Sequence, residues 1–269
     1  MKTLLSALPA YFRQSLAVMF QYRAEILLWA VWGVVYPAIA MAMWAAAVKG
    51  SPDGQTIRGY TPGDFAAYFW LTMVVGHACT AWDIYDMSAL IRNGTMSARL
   101  LRPILPIWQS VADNLAYKVL TLTVLIPIWL IIIAIVEPSF DTTKQDFLYA
   151  VPAIAGAAVI NYLWGYNLAI LSFWFTRMDA IGQFWFGAGL FFGGRLAPMT
   201  LMPAPVQKIA TALPFKWVTW FPCETMMGRL KPGFIQQGLI NQLAWIAFGL
   251  VVFHVLWRMG VKRYSAVGA

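Results

Sequence analysis

Few side chains in these 269 residues have the types and spacing that chemistry requires. His77 and His254 stand alone, and Cys79 and Cys223 fall outside any Cys-x-x-Cys pattern. Zinc sites and disulfide frameworks need ligands or cysteines at characteristic spacings, so neither is expected, and no metal centre is assigned. His77 beside Cys79 is too thin a pairing for a nucleophile and its base, since nothing nearby is set to orient them. No Gly-x-x-x-x-Gly-Lys-Ser/Thr occurs, so the chain has no phosphate cradle. We therefore expect no catalytic residue and no cofactor in this chain.

What remains is charge and amide set within or beside apolar runs, where it is costly in a bilayer unless used. Asp83 and Asp86 follow Trp82, Asn161 and Asn167 sit in the middle of an apolar run, and Arg195 precedes a Pro-rich stretch that contains Glu224. These six are candidates for lining or gating a polar path. Simpler roles are open for each. The two aspartates can pair with nearby arginines, the asparagines can hydrogen-bond between helices, and Arg195 and Glu224 can seal one end.

The elements that would hold them can be read from composition. The chain is 61% hydrophobic, 16% aromatic and 11% charged, against about 25% charged in soluble domains. No mixed-polarity stretch is long enough for a soluble domain, and a bilayer-spanning helix needs about 20 apolar residues. We expect an all-α, polytopic membrane helical bundle, one transmembrane domain over residues 1–269. Its six spans are placed at 26–48, 65–82, 119–136, 147–176, 180–194 and 232–257. Residues 1–25 carry Leu5, Leu8, Phe12, Leu16 and Met19 at spacings of three or four, opposite Arg13, Gln14 and Gln21. That stripe predicts an amphipathic helix lying in the interface and not a signal peptide. Prolines 198, 203, 205, 214, 222 and 232 exclude one continuous helix over 197–231. Yet that stretch is too apolar for a solvated loop, so short re-entrant or extracellular helices are expected.

A net charge of +8 in such a chain points to loops held by anionic membrane lipid, and not to nucleic acid. With both termini in the cytoplasm, the inner segments hold ten Lys/Arg and the two short outer loops three, although the Pro-rich stretch adds five outside. The positive-inside rule weights short loops, which favours a multi-pass protein of the cell (inner) membrane with cytoplasmic ends.

One inner segment breaks the apolar pattern. In "MSALIRNGTMSARLLRPILPIW", Arg92, Arg99 and Arg102 accompany an Asn-Gly turn and a Leu-Leu-Arg-Pro. Three readings compete: a topogenic anchor, a headgroup or ligand site, and a docking element. An anchor needs charge alone, whereas this segment also has apolar residues (Ile91, Met96, Leu100, Leu101) and a turn at Gly94.

"IRNGTMSARLLRPILP" resembles the cytoplasmic loop of the ABC type-2 permease family, in its branch of small six-span permeases. "GGRLAPMTLMPAPVQKIATALPF" followed by "FPCETMMG" resembles the same family's pattern before the last span. The order of elements matches over essentially the whole chain. The resemblance implies the permease subunit of an ATP-driven exporter, without ATP hydrolysis of its own. Residues 87–102 would be the coupling helix, with Ile91, Arg92, Gly94, Met96, Arg99, Leu100, Leu101 and Arg102 docking the ATPase. It further implies two copies of an ABC ATPase subunit holding ATP and magnesium, and a second permease in a homo- or heterodimer. A small amphiphilic or cationic cargo fits the short loops. The rival reading is a secondary transporter or channel working without an ATPase, which would usually need an intramembrane charge relay or an internal repeat.

Overall fold

The structure, a computed structural model, describes residues 2–175 and 177–264, with side chains from residue 7 onward. Met1 of the expected interfacial helix, the side chain of Leu5 in its stripe, and Thr176 at the end of the expected fourth span lie outside the described residues. Among the described residues the chain is helical, and its one β feature is an isolated bridge between Ile57 and Tyr60. The helices are α1 (Lys2–Gln21), α2 (Arg23–Lys49), α3 (Pro62–Cys79), α4 (Asp83–Arg92), α5 (Met96–Leu100) and α6 (Pro106–Val136). After them come α7 (Lys144–Ile170), α8 (Asp179–Phe192), α9 (Ala204–Thr211), α10 (Phe215–Val218), α11 (Trp220–Met226) and α12 (Pro232–Arg263).

Among the described residues four helices are long and apolar enough to cross a membrane: α2, α6, α7 with the 3-10 turn at its end, and α12. At 1.5 Å per residue each exceeds the roughly 30 Å of a hydrocarbon core. The 18 residues of α3 reach about 27 Å and the 14 of α8 about 21 Å.

Helix ends obey local chemistry. Thr61 with Asp64 and Thr143 with Asp146 form reciprocal capping boxes that start α3 and α7. Proline near the first position starts α3, α6 and α12, where its missing N–H costs nothing. Charge, by contrast, marks where lipid ends and not where a helix ends. Thus α6 begins at Pro106, well before the expected boundary at 119, and carries Asp113 and Lys118 within it. Likewise α12 continues past Val255 through Arg258 and Lys262 to Arg263.

Helix α7 is central, packing on α12, α11, α4 and α3, while α1 lies along α6. Leu8, Phe12, Leu16 and Met19 of α1 are half-buried and Arg13 and Gln14 exposed, as the stripe predicts. Ser15 is bonded to the Asp113 carboxylate of α6. Apolar packing falls into two cores. One surrounds Phe65, Phe69 and Ile160 and takes in α10 and α11; the other surrounds Ile84, Met96, Tyr166 and Phe173 at the far end of α7.

The Pro-rich stretch turns at Gly194 (φ 81°), whose carbonyl accepts the Tyr68 hydroxyl at 2.7 Å. It then drops Trp217, Trp220 and Phe221 into the first core. Gly238 of α12 permits this, because any Cβ there would collide with the Phe221 ring. Gln242 fastens the region by donating to the carbonyls of Ala153 and Trp217, both at 2.8 Å.

Candidate functional site

A cavity of about 620 Å³ lies between α2, α3, α7 and α8. Trp32, Tyr36, Trp82, Trp129, Trp185 and Phe186 are among its walls, with His77, Asn161 and Arg195 as polar groups. Its size and its mixture of many apolar and few polar walls are those of a small-molecule site. Helices α2 and α8 flank it without packing on one another along their length. Trp29, Trp32 and Phe186 therefore remain exposed at its open side.

The floor is the break between α3 and α4. A helix end leaves carbonyls without partners, and side chains of neighbouring helices fill the gap here. Asn161 of α7 donates to the Cys79 carbonyl at 2.5 Å. Asn114 and Lys118 of α6 both donate to the Thr80 carbonyl at 2.8 Å. Behind them His77 and the Thr121 hydroxyl are 3.2 Å apart. Asn161 is thus both a cavity wall and a helix tie. Asn167 is a tie alone, donating to the Gly249 carbonyl at 2.9 Å and facing no part of the cavity.

Arg195 reaches the cavity from the turn after α8. Its guanidinium lies where a Cβ on Gly76 would come within 3.0 Å, and 5.8 Å from the Phe186 ring. It does not meet Glu224, its sequence-predicted companion at the gate. Glu224 is buried in α11, accepting the Tyr60 hydroxyl at 2.7 Å, with Arg229 at 3.7 Å. Arg229 also pairs with Asp64 at 3.1 Å and stacks 3.9 Å from the Tyr60 ring centre. This network ties the α2–α3 loop, α3 and α11 together. Burial pushes the Glu224 carboxyl up to about 7, against the opposing pull of Tyr60 and Arg229.

At the other end α4, a turn and α5 form two short helices. Gly94 takes φ 70°, a left-handed conformation that L side chains rarely adopt. Asp83 is buried and accepts the Ser110 hydroxyl, and burial, with Asp86 nearby, raises its carboxyl to about 7. Asp86 lines a small cleft with Arg99, but the ion pair Arg99 makes is with Asp113, at 3.9 Å.

The eight residues expected to dock a partner divide. Leu101 is 87% exposed, and Arg92 and Arg102 are exposed as well. Met96 is 0% exposed and packs inward on the second core, which corrects its expected outward role. The α4–α5 pair needs one such anchor because five residues of helix have no stability alone. Ile91 and Leu100 are half-buried against the same core. Arg102 reaches back to Gln109 at 2.8 Å and lies 5.6 Å over the Tyr11 ring of α1. Ser97 and Tyr264 beyond α12 are hydrogen-bonded at 2.8 Å.

Sequence reasoning missed Ser15, Tyr60, Tyr264 and Gly76. Gly76 alone gave a local signal, a glycine inside a helical run, which costs stability without a packing reason.

These observations define a multi-pass membrane protein whose helices surround an aromatic cavity, with a small anchored helix pair at one end. The chain belongs to the ABC-2 transporter family: residues 51–268 match the family described as "ABC-2 family transporter protein". None of the curated proteins matches it significantly. As a member it is a permease-type component of an ABC transporter, a family that generally works with an ATPase subunit.

Proposed function

We propose that this chain is one permease subunit of an ATP-driven exporter. It crosses the inner membrane six times, with α3 and α8 completing the four long helices, and both termini are cytoplasmic. It pairs with a second permease, identical or a sister, and with two ATPase copies that bind ATP and magnesium. It hydrolyses nothing itself. The α4–turn–α5 pair is the coupling element and the aromatic cavity is this subunit's half of the path for an amphiphilic cargo.

The observation that carries the reading is the division of labour within α4–α5. Leu101 and Arg92 are exposed, while the same short segment is tied to three other elements: Arg102 to α1, Arg99 to α6, and Ser97 to Tyr264 at the end of α12. A push on the outer face is passed to α1, α6 and the end of α12 at once. ATP binding that favours a closed ATPase dimer then shifts the bundle by whatever differential affinity it has for the two states. A lone topogenic anchor would need no such ties.

The test is co-purification of ATPase with the permease from native membrane. Leu101→Asp is expected to lose the ATPase while insertion and thermal stability hold, because the residue touches little of its own chain. Undiminished co-purification with Leu101→Asp would remove Leu101 from the contact, and a wild-type chain that transports with no ATPase present would favour the secondary-transporter reading.

A further inference from the structure

The cavity's charge identifies what it holds. Arg195 offers five N–H donors in a rigid planar fork, a shape that matches carboxylate and phosphate. Among the described residues its guanidinium has no carboxylate within ion-pair distance and no hydrogen-bonded side chain. Near it lie Gly76 and the Phe186 ring, with the Tyr36 and Tyr68 phenols and the Cys79 and Cys223 thiols, and no carboxylate. A charge at this depth is expensive without a counter-ion, so an arriving anion gains what the chain itself withholds. The one acid that borders the cavity is Asp83. It lies at the α4 end, is 5% exposed, and is engaged by Ser110.

We propose that the cavity binds an amphiphile with a single acidic head, a carboxylate or phosphate, placing that head on Arg195 and its apolar body along the aromatic walls. Gly76 lets the guanidinium lie close against α3, since a Cβ there would come within 3.0 Å of it and force a small shift. The proposal rests on the permease reading and sharpens its cargo from amphiphilic to anionic. The expectation of a cationic cargo gives way, because tryptophan faces alone attract a cation weakly beside a fixed positive charge.

The experiment uses the full chain in nanodiscs of neutral phosphatidylcholine, with quenching of cavity tryptophans by three brominated probes of equal length: bromoundecanoate, bromoundecanol and bromoundecyl trimethylammonium. Bromoundecanoate is expected to half-saturate at a concentration at least about tenfold below the other two, the scale of a charge-assisted pair. Arg195→Gln should erase that preference, Arg195→Lys should keep part of it, and Gly76→Ala should weaken it with Arg195 in place. Thermal unfolding of Arg195→Gln should be unchanged or raised, since an unpaired charge is removed. A cation that binds as tightly as the acid, or an acid preference that survives Arg195→Gln, overturns the proposal. So does a preference lost only together with thermal stability in both Arg195 variants, the signature of a structural arginine.

Native mass spectrometry of the same variants separates the sources. Anionic phospholipid retained by the wild type and lost in Arg195→Gln supports a lipid headgroup, and an empty wild type that takes bromoundecanoate supports a diffusible acid. ATPase co-purification, scored in parallel, keeps the two claims apart. A wild type that shows no acid preference while ATPase binding is intact sinks this inference alone. Acid preference without ATPase binding sinks the permease reading instead.

Discussion

Glu224 shows how a single side chain sets a condition on the whole structure. In the unfolded chain its carboxyl titrates near 4.5, whereas burial in α11 raises it to about 7. The folded state therefore holds the proton more tightly. The stabilisation from this group is complete below about pH 4.5 and is lost as pH rises through about 7. Above that pH the carboxylate is retained against its desolvation by the Tyr60 hydroxyl and Arg229. Glu224→Gln keeps an acceptor for Tyr60 without the charge. We expect its melting profile in detergent to fall less steeply between pH 4.5 and 7, and its stability at pH 8 to exceed the wild type by of order 1 kcal/mol. A profile as steep as the wild type would show that Glu224 ionises freely in the fold. Asp83, also raised to about 7, leaves a residual slope of the same sign, so partial flattening is the expected result.

At the scale of elements, α4 and α5 depend on their junction. Gly94 adopts φ 70°, and a β-branched residue there costs roughly 1–2 kcal/mol in the left-handed region. Gly94→Val should relax the turn, release Met96 from its core and lower ATPase co-purification severalfold. Gly94→Asn, which tolerates that conformation, should retain most of it, and equal losses in both would mean the turn's conformation is irrelevant. Much of this element is legible in the sequence, because Asn93-Gly94 marks a turn and Pro103 stops the second short helix. The direction of Met96 is not, since five residues hold too little periodicity to name a face. The limits of α6 mislead for another reason: Lys118 and Asp113 read as borders, but a helix continues through charge as long as its backbone is paired. Among site residues, Asn161 and Arg195 stand out as polar groups in apolar runs. That Arg195 turns into the cavity, away from Glu224, is a tertiary fact, decided by the turn at Gly194 and the space above Gly76. Pairings such as Ser15 with Asp113 span long sequence separations and leave no local pattern.

At the scale of the molecule, the exposed surfaces differ in what surrounds them. Helix α12 exposes Ile240, Leu243 and Val251, an ordinary lipid-facing set on a helix that packs on α7. Helices α2 and α8 expose Trp29, Trp32, Ile39 and Phe186 on either side of the cavity's opening. If lipid faced that opening, acyl chains would fill the cavity and Arg195 would sit in hydrocarbon contact, an arrangement a transport path must avoid. A second permease covering the opening removes the problem and joins two half-cavities. A two-fold interface sets residue i of one copy against residue j of the other, so α2 of one meets α8 of its partner across the opening. Cysteines placed together at Ile39 and Phe186 should therefore cross-link two copies on mild oxidation, while one at Leu243 should not. The native Cys79 and Cys223 are buried and supply a quiet background. Cross-linking at Leu243 and not at the α2–α8 face would move the partner to α12 and leave the cavity open to lipid. Cross-linking at none of the three in the isolated chain, restored when a sister permease carrying its own cysteine is co-expressed, would identify the pair as a heterodimer. A covered opening keeps bulk acyl chains out of a cavity built around one unpaired arginine, so that what occupies it is decided by an acidic head, whether of a diffusible acid or of a single lipid.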